Sequence, residues 1–122
     1  MDDGRSKPNV LVELSYAFAR RAIRLYKDLT AEKKEYVLSK QILRSGTSIG
    51  ANIAEANQAQ SKSDFIHKLS IALKEAVETE YWLNLLKDEE FIGVKEAESL
   101  MEDCKSLIRL LTASIKTSKG SR

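Results

Sequence analysis

"RSGTSIGANIAEA", residues 44–56, is the stretch of this sequence that decides the fold. It contains two glycines and a set of small hydroxyl and amide residues, which are poor helix formers, although the flanking segments have a strongly helical pattern. Relative to alanine, the two glycines alone cost about 2 kcal/mol in a helix interior. The stretch is therefore either a loop that carries chemistry or a helix whose packing requires small residues.

Helical periodicity favours the second interpretation. At about 100° per residue, Gly46, Gly50 and Ala54 fall in one shallow groove beside the apolar stripe of the helix. Glycines four residues apart allow two helix backbones to approach closely, and that packing offsets their low propensity. The polar members of the stretch face a helical partner or water on the other side: Ser48, Asn52 and Glu55.

Four segments of the chain repeat apolar residues every three or four positions, which predicts four amphipathic helices. Thr30 is the predicted N-cap of the second helix, Ser61 or Ser63 caps the third, and Gly93 separates the third from the fourth. The predicted inner faces are Leu11, Leu14, Phe18, Ala22, Leu25 and Leu29; Leu38, Ile42, Ser45, Ile49, Ile53 and Ala56; Phe65, Leu69, Ala72, Leu73, Ala76, Val77 and Leu83; and Ala97, Leu100, Cys104, Leu107, Leu111 and Ile115.

The fold prediction is a single all-α domain. A chain of 122 residues can form one ordinary domain with a real core, and short connections make consecutive helices antiparallel. We predict an up-down-up-down four-helix bundle over residues 9–117, with disordered ends at residues 1–8 and 118–122. No apolar run is long enough to span a membrane or to form a signal peptide, which predicts a cytoplasmic protein.

Neither a metal site nor an active site is predicted. One cysteine, Cys104, and one histidine, His67, cannot form the usual metal-ligand cluster, so no metal and no cofactor are expected. Residues 46–50 match G-x-S-x-G, but that motif acts at a strand-to-helix turn with a histidine and an acid supplied by later elements. Nothing before residue 46 has a strand pattern, so we predict that the protein is not an enzyme.

Two segments together resemble a known bacterial family. "QILRSGTSIGANIAE", residues 41–55, and "DFIHKLSIALKEAVETEYWLNLL", residues 64–86, are similar to the four-helix bundle proteins also called 23S ribosomal RNA intervening-sequence proteins. They are more distantly similar to the accessory variability determinant of diversity-generating retroelements, a homopentamer that works with a reverse transcriptase and nucleic acid. The resemblance implies a non-enzymatic homopentamer. Ala56 departs from the pattern, since many relatives have glycine there.

Basic residues are concentrated in the first half of the chain. Residues 1–62 hold 11 Lys and Arg against 7 Asp and Glu, whereas residues 63–90 hold 3 against 7. Opposite the predicted core, one face of the first helix is either a solvated surface or a phosphate-binding stripe, which the second helix could extend. The candidate nucleic-acid-binding residues are Arg20, Arg24, Lys27, Lys40 and Arg44.

The outer face of the third helix carries apolar residues that are unusual for a solvated surface. We expect a subunit interface there, the alternative being scattered surface hydrophobics. The candidate interface residues are Ile71, Glu75, Glu78 and Trp82. Glu80 falls within the predicted core stripe and must therefore lie near a helix end and water or be hydrogen-bonded.

Two classes of function remain open from the sequence. The first is an oligomeric adaptor that contacts RNA, DNA or a nucleic-acid enzyme through the basic face. The second is a protein–protein scaffold or antitoxin-like module that has no contact with nucleic acid. Both include self-association as a homo-oligomer, and neither involves a membrane.

Overall fold

The computed structural model describes residues 9–120, and this part of the chain forms four α-helices. Helix α1 spans Asn9–Ala31, α2 spans Leu38–Ala56, α3 spans Lys62–Asp88 and α4 spans Val94–Gly120. The predicted disordered segment 1–8 and residues 121–122 lie outside the described residues. Helix α4 continues to Gly120, three residues beyond the predicted end of the bundle.

Each helix packs against the next one in the sequence. The extensive contacts are between α1 and α2, α2 and α3, and α3 and α4, while α4 returns to α1 with a smaller contact. The backbones of the diagonal pairs, α1 with α3 and α2 with α4, do not approach each other closely in the described residues. Connections of only five or six residues require consecutive helices to run antiparallel. The all-α four-helix bundle predicted from the sequence is therefore the observed architecture.

The apolar stripes of the four helices meet in one core. Phe18, Ile49, Leu69 and Leu107 are each at most 2% exposed. Burying a side chain of this size contributes roughly 1.5 to 3 kcal/mol, which makes these stripes the main source of stability. Leu73 and Ile115 lie at the margin of the core and are only partly buried.

Two predicted core residues are on the surface instead. Leu14 is 39% exposed and Val77 is 51% exposed. Leu14 lies about 20° around α1 from Arg21, which contacts Asp103 of α4, and the contact between α1 and α4 is small. Val77 follows buried Ala76 and is turned by about 100°, beyond the arc that α2 and α4 cover. Both predictions were wrong because periodicity gives a direction, whereas burial requires a neighbouring helix at that angle.

Helix α2 begins eight residues after the predicted cap. Thr30 lies within α1, where its hydroxyl donates to the carbonyl of Tyr26 at 3.0 Å. The N-terminus of α2 is capped by Glu35 instead, whose carboxylate accepts from the backbone N–H groups of Val37, Leu38 and Ser39 at 3.1, 2.9 and 2.7 Å. Partial burial opposes the charge of Glu35, but these three donors outweigh it and lower the pKa of the carboxyl.

The connections around α3 show which residues bound that helix. Ser61 is the N-cap, and its side-chain oxygen accepts from the backbone N–H of Asp64 at 3.0 Å. At the other end Glu90 adopts a left-handed conformation, φ 63°, and the N–H of Phe91 bonds to the carbonyl of Leu86 at 2.9 Å. This is the hydrogen bond of a Schellman ending. Gly93 separates this ending from α4, as the sequence predicted.

The two glycines of the opening stretch lie in the interior of α2, against α1. A Cβ built on Gly46 would lie 2.8 Å from the Cβ of Ala22, which is closer than real Cβ atoms approach each other. A Cβ built on Gly50 would lie 3.4 Å from the carbonyl oxygen of Ser15. The helices α1 and α2 therefore approach closely at these glycines, whereas Ala54 is exposed beyond them.

Candidate functional site

Helix α1 presents three basic residues to solvent. Arg20, Arg24 and Lys27 are exposed and form no ion pair within residues 9–120. Their spacing covers about 10 Å of the helix axis. Arg21 differs, because it turns toward α4 and contacts Asp103 with an Nη1–Oδ2 distance of 2.7 Å. The outer face of α1 thus holds cationic groups that the fold itself does not use.

Both candidates on α2 are exposed, but only Arg44 forms ion pairs among the described residues. Lys40 is exposed near the start of α2 and has no ion pair within the described residues. Arg44 contacts Glu78 of α3, and its second guanidinium nitrogen lies 3.1 Å from Oε1 of Glu75. The hydrogen bond to Glu78 raises the pKa of Arg44, so the guanidinium stays charged. Arg44 thus differs from Arg20, Arg24 and Lys27, because its charge is paired with carboxylates of α3.

Three of the four predicted interface residues belong to this same cluster. The indole nitrogen of Trp82 donates to Oε2 of Glu78 at 2.9 Å, and this bond and the Arg44 contact lower the pKa of Glu78. Glu75, Glu78 and Trp82 thus make contacts within the subunit, between α2 and α3. Ile71 is partly buried.

The exposed apolar surface of α3 lies on the adjacent strip. Val77 is 51% exposed and Tyr81 is 58% exposed. The ring of Tyr81 meets the ring of Trp82 edge-on, with centroids 5.1 Å apart. The exposed apolar residues of α3 thus lie on a strip rotated away from α2 relative to the predicted interface residues.

The polar residues of the α2 motif are engaged by their own helix and by α3. Ser48 donates to the carbonyl of Arg44 at 2.6 Å, and the amide nitrogen of Asn52 donates to the carbonyl of Ser48 at 2.9 Å. Glu55 forms an ion pair of 2.8 Å with Lys68 of α3. These three polar residues therefore lie beside the contact between α2 and α3.

Sequence reasoning missed a buried polar contact in the same seam. The hydroxyl oxygens of Ser45 and Thr79 are hydrogen-bonded at 2.9 Å, and Thr79 also donates to the carbonyl of Glu75 at 2.7 Å. Ser45 within an apolar stripe signals a buried hydroxyl that needs a partner. The identity of that partner depends on the register between α2 and α3, which one sequence does not give.

The residues that could suggest catalysis have ordinary structural surroundings. Residues 46–50 lie inside α2 rather than at a strand-to-helix turn, and Ser48 bonds to its own helix. His67 is exposed on α3. The Sγ of Cys104 lies 3.2 Å from the carbonyl oxygen of Ala76, and burial, with nearby carboxylates, raises the pKa of this thiol to about 12. Helix α2 thus lacks the geometry of a nucleophile elbow.

Glu80 is the remaining charged residue that the sequence singled out. Glu80, which the sequence placed in the core stripe, is partly exposed in the middle of α3, and its Oε2 lies 3.9 Å from Nζ of Lys105 on α4.

Within residues 9–120, no three His, Cys, Asp or Glu side chains converge as metal ligands would. None of the four helices described is long and apolar enough to cross a membrane.

A shallow apolar groove runs between α1 and α2 beside the basic stripe. Its lining residues are Val12, Ser15, Tyr16, Ala19, Thr47, Gly50, Ala51, Ile53 and Ala54. Tyr16 is 69% exposed, which is more than any other aromatic residue in the described part of the chain. The small residues of α2 create this depression, since larger side chains would fill it.

Comparison with known proteins places the chain in a family. The sequence profile of the 23S rRNA-intervening sequence proteins matches residues 7–113. The chain belongs to this family. The resemblance seen in residues 41–55 and 64–86 is thereby confirmed, and the match covers nearly the whole bundle.

A solved structure from the same group supports the fold. It is a protein of unknown function from the S23 ribosomal protein family of Bacteroides thetaiotaomicron. The identity is 58% over 90% of this chain and 98% of that chain, with a TM-score of 0.89. No curated protein matched the sequence.

Proposed function

We propose that this family member is a non-enzymatic, cytoplasmic adaptor that contacts nucleic acid, or an enzyme acting on nucleic acid, through the outer face of α1. The observation that carries the proposal is the contrast among the arginines. Arg21 and Arg44 are held by Asp103, Glu75 and Glu78, whereas Arg20 and Arg24 are exposed without carboxylate partners in the described chain. Cations that form no internal ion pair remain available to phosphates. Phosphate contacts supply most of the affinity in sequence-independent binding to nucleic acid.

Self-assembly is the second part of this proposal. Val77 and Tyr81 expose apolar surface on α3, on the opposite corner of the bundle from α1. Covering such side chains in a subunit contact would remove them from water while leaving the basic face free. By resemblance the assembly is a homopentamer, and repeated copies would multiply weak phosphate contacts on one ligand.

A charge-neutral variant of the basic face tests the adaptor. Arg20, Arg24 and Lys27 are changed together to glutamine, and binding of labelled RNA and DNA is measured by fluorescence anisotropy from about 50 to 200 mM salt. Each lost phosphate contact should reduce the slope of log affinity against log salt by about 0.7 to 0.9. Affinity should fall for all sequences, because phosphate contacts carry no sequence information.

The matched control removes the same charge from another face. Lys74, Lys95 and Arg109 are exposed on α3 and α4, and their triple glutamine variant should bind like the wild type. Equal loss in both variants would show that only net charge matters, which contradicts a defined face. Light scattering should show that both variants keep the wild-type mass.

The alternative function is a protein–protein scaffold or antitoxin-like module without nucleic-acid contact. The observation that favours it is the exposed apolar pair Val77 and Tyr81, which protein partners could cover as well as a second subunit could. Wild-type protein that binds no RNA or DNA at about 50 mM salt would reject direct contact with nucleic acid and favour this scaffold function.

A further inference from the structure

We propose that the groove between α1 and α2 binds single-stranded nucleic acid, with a base stacked on Tyr16 and the adjoining phosphates on Arg20 and Arg24. The inference rests on the proposed function, because it places the ligand of the basic face and names its kind. It assigns a binding site next to the outer face of α1, whose charges by themselves show only that this surface is cationic.

The groove has the shape of a stacking site rather than that of a pocket. Its volume is about 270 Å³, just below the range of roughly 300 to 1,000 Å³ typical of enclosed small-molecule sites. Gly50, Ala51 and Ala54 keep one wall low, and the exposed ring of Tyr16 stands beside them. A planar base can enter such a depression and meet the ring, whereas a large cofactor would remain mostly in water.

Charges next to the groove complement a nucleic-acid backbone. The lining residues of the groove carry no charge, and most of the surface that they expose in it is apolar. Arg20 and Arg24 follow Tyr16 by one and two helical turns, which is about 6 and 12 Å along α1. Glu13 is an exposed carboxylate on the other side of Tyr16, and the three exposed cations Arg20, Arg24 and Lys27 outnumber it. An apolar, aromatic slot flanked by cations is the combination that binds bases and phosphates together.

This arrangement selects single strands over duplexes. In a duplex the faces of the bases are stacked on one another, so a side chain on a protein surface meets only phosphates and groove edges. An unpaired base offers its face to an aromatic ring, and this contact tolerates any sequence because every base has such a face. The geometry therefore points to sequence-tolerant binding of single strands.

The test compares aromatic variants on single-stranded and duplex probes. Fluorescence anisotropy is measured at about 50 mM salt with labelled oligo(dT) and oligo(rU) of about 12 nucleotides and with a duplex of the same length. Tyr16→Ala should weaken single-strand binding about tenfold and leave duplex binding unchanged, since it removes stacking and no phosphate contact. Tyr16→Phe should bind like the wild type, because phenylalanine retains the stacking face.

Tyr36→Ala is the matched control. Tyr36 is exposed to a similar extent, 53%, but lies in the connection between α1 and α2 and does not line the groove, so its loss should not change binding of either probe. Ala54→Glu is a second variant at an exposed position, and it places a carboxylate in the groove that should repel the single strand. Circular dichroism should show native helicity for all four variants, and single-strand loss in both Tyr16→Ala and Ala54→Glu supports the site.

Each contrary result has a distinct meaning. Unchanged single-strand binding in Tyr16→Ala would overturn the stacking site while leaving the basic-face adaptor intact. A lower mass of Tyr16→Ala in light scattering would show that the groove is a subunit contact, which also overturns it. Wild-type protein that binds none of the probes would reject both the site and the direct nucleic-acid contact of the proposed function.

Discussion

Replacing Gly46 by alanine should leave the protein less stable than replacing Gly50 by alanine. At Gly46 the new Cβ would lie 2.8 Å from the Cβ of Ala22, about 1 Å inside the preferred carbon–carbon contact of 3.5 to 4.0 Å. The Cβ of Ala22 is fixed to the backbone of α1, so the two helices must separate to relieve the overlap. At Gly50 the nearest atoms lie at 3.4 Å, and a shift of a few tenths of an ångström is sufficient.

The expected magnitudes follow from two opposing terms. Overpacking a tight contact costs about 1 to 3 kcal/mol, whereas replacing glycine by alanine inside a helix contributes about 1 kcal/mol of stability. Gly46→Ala should therefore lower the free energy of unfolding by about 0 to 2 kcal/mol. Gly50→Ala should leave it unchanged or raise it by up to about 1 kcal/mol, because the overpacking term is small there.

The assay is thermal and urea unfolding followed by circular dichroism. It is repeated at several protein concentrations, because dissociation of an oligomer makes the melting temperature depend on concentration. One kcal/mol corresponds to roughly 2 to 8 °C in melting temperature for domains near this size. The double variant Gly46→Ala with Ala22→Gly moves the Cβ to the other helix, and its destabilisation should be smaller than the sum of the two single effects.

Two outcomes would refute the reasoning. If Gly46→Ala is as stable as Gly50→Ala, the close approach of α1 and α2 at Gly46 does not constrain the fold. If the double variant shows strictly additive effects, the cost of Gly46→Ala does not arise from contact with Ala22. Either result would leave the low helix propensity of these glycines without a structural reason.

Two further predictions concern a cap and a thiol. Glu35→Gln should lower stability by about 1 kcal/mol, because it replaces a charged cap of α2. Since folding lowers the pKa of Glu35 below its ordinary 4.5, its contribution is present above pH 4.5 and is lost as pH falls through the folded pKa. Urea unfolding across that range should show a weaker acid dependence in the variant, and an equally steep dependence would contradict the capping role. Native Cys104 should resist a thiol reagent at pH 8. Its pKa of about 12 leaves a thiolate population about a thousandfold below that of an ordinary thiol. Labelling of the native protein as fast as that of the urea-unfolded chain would contradict this prediction.

Much of the bundle was predictable because local sequence determines helices. Apolar periodicity identified four helices, and the cap at Ser61 and the break at Gly93 were read from single residues. The two motif segments identified the family, which the profile match confirmed. The exposure of Arg20, Arg24 and Lys27 also followed from the angle between these residues and the α1 stripe.

Tertiary structure decided everything that depends on a neighbouring helix. Arg44 and Arg20 look equivalent along the sequence, but only Arg44 faces the carboxylates of α3. Val77 fits the apolar periodicity of α3, yet no helix covers it at its angle. Glu35 caps α2 because the connection turns its carboxylate back onto the first N–H groups of the helix. Within a helix, the sequence position of a side chain sets its direction around the helix axis. Ion pairing and burial depend in addition on the register and the distance between two neighbouring helices.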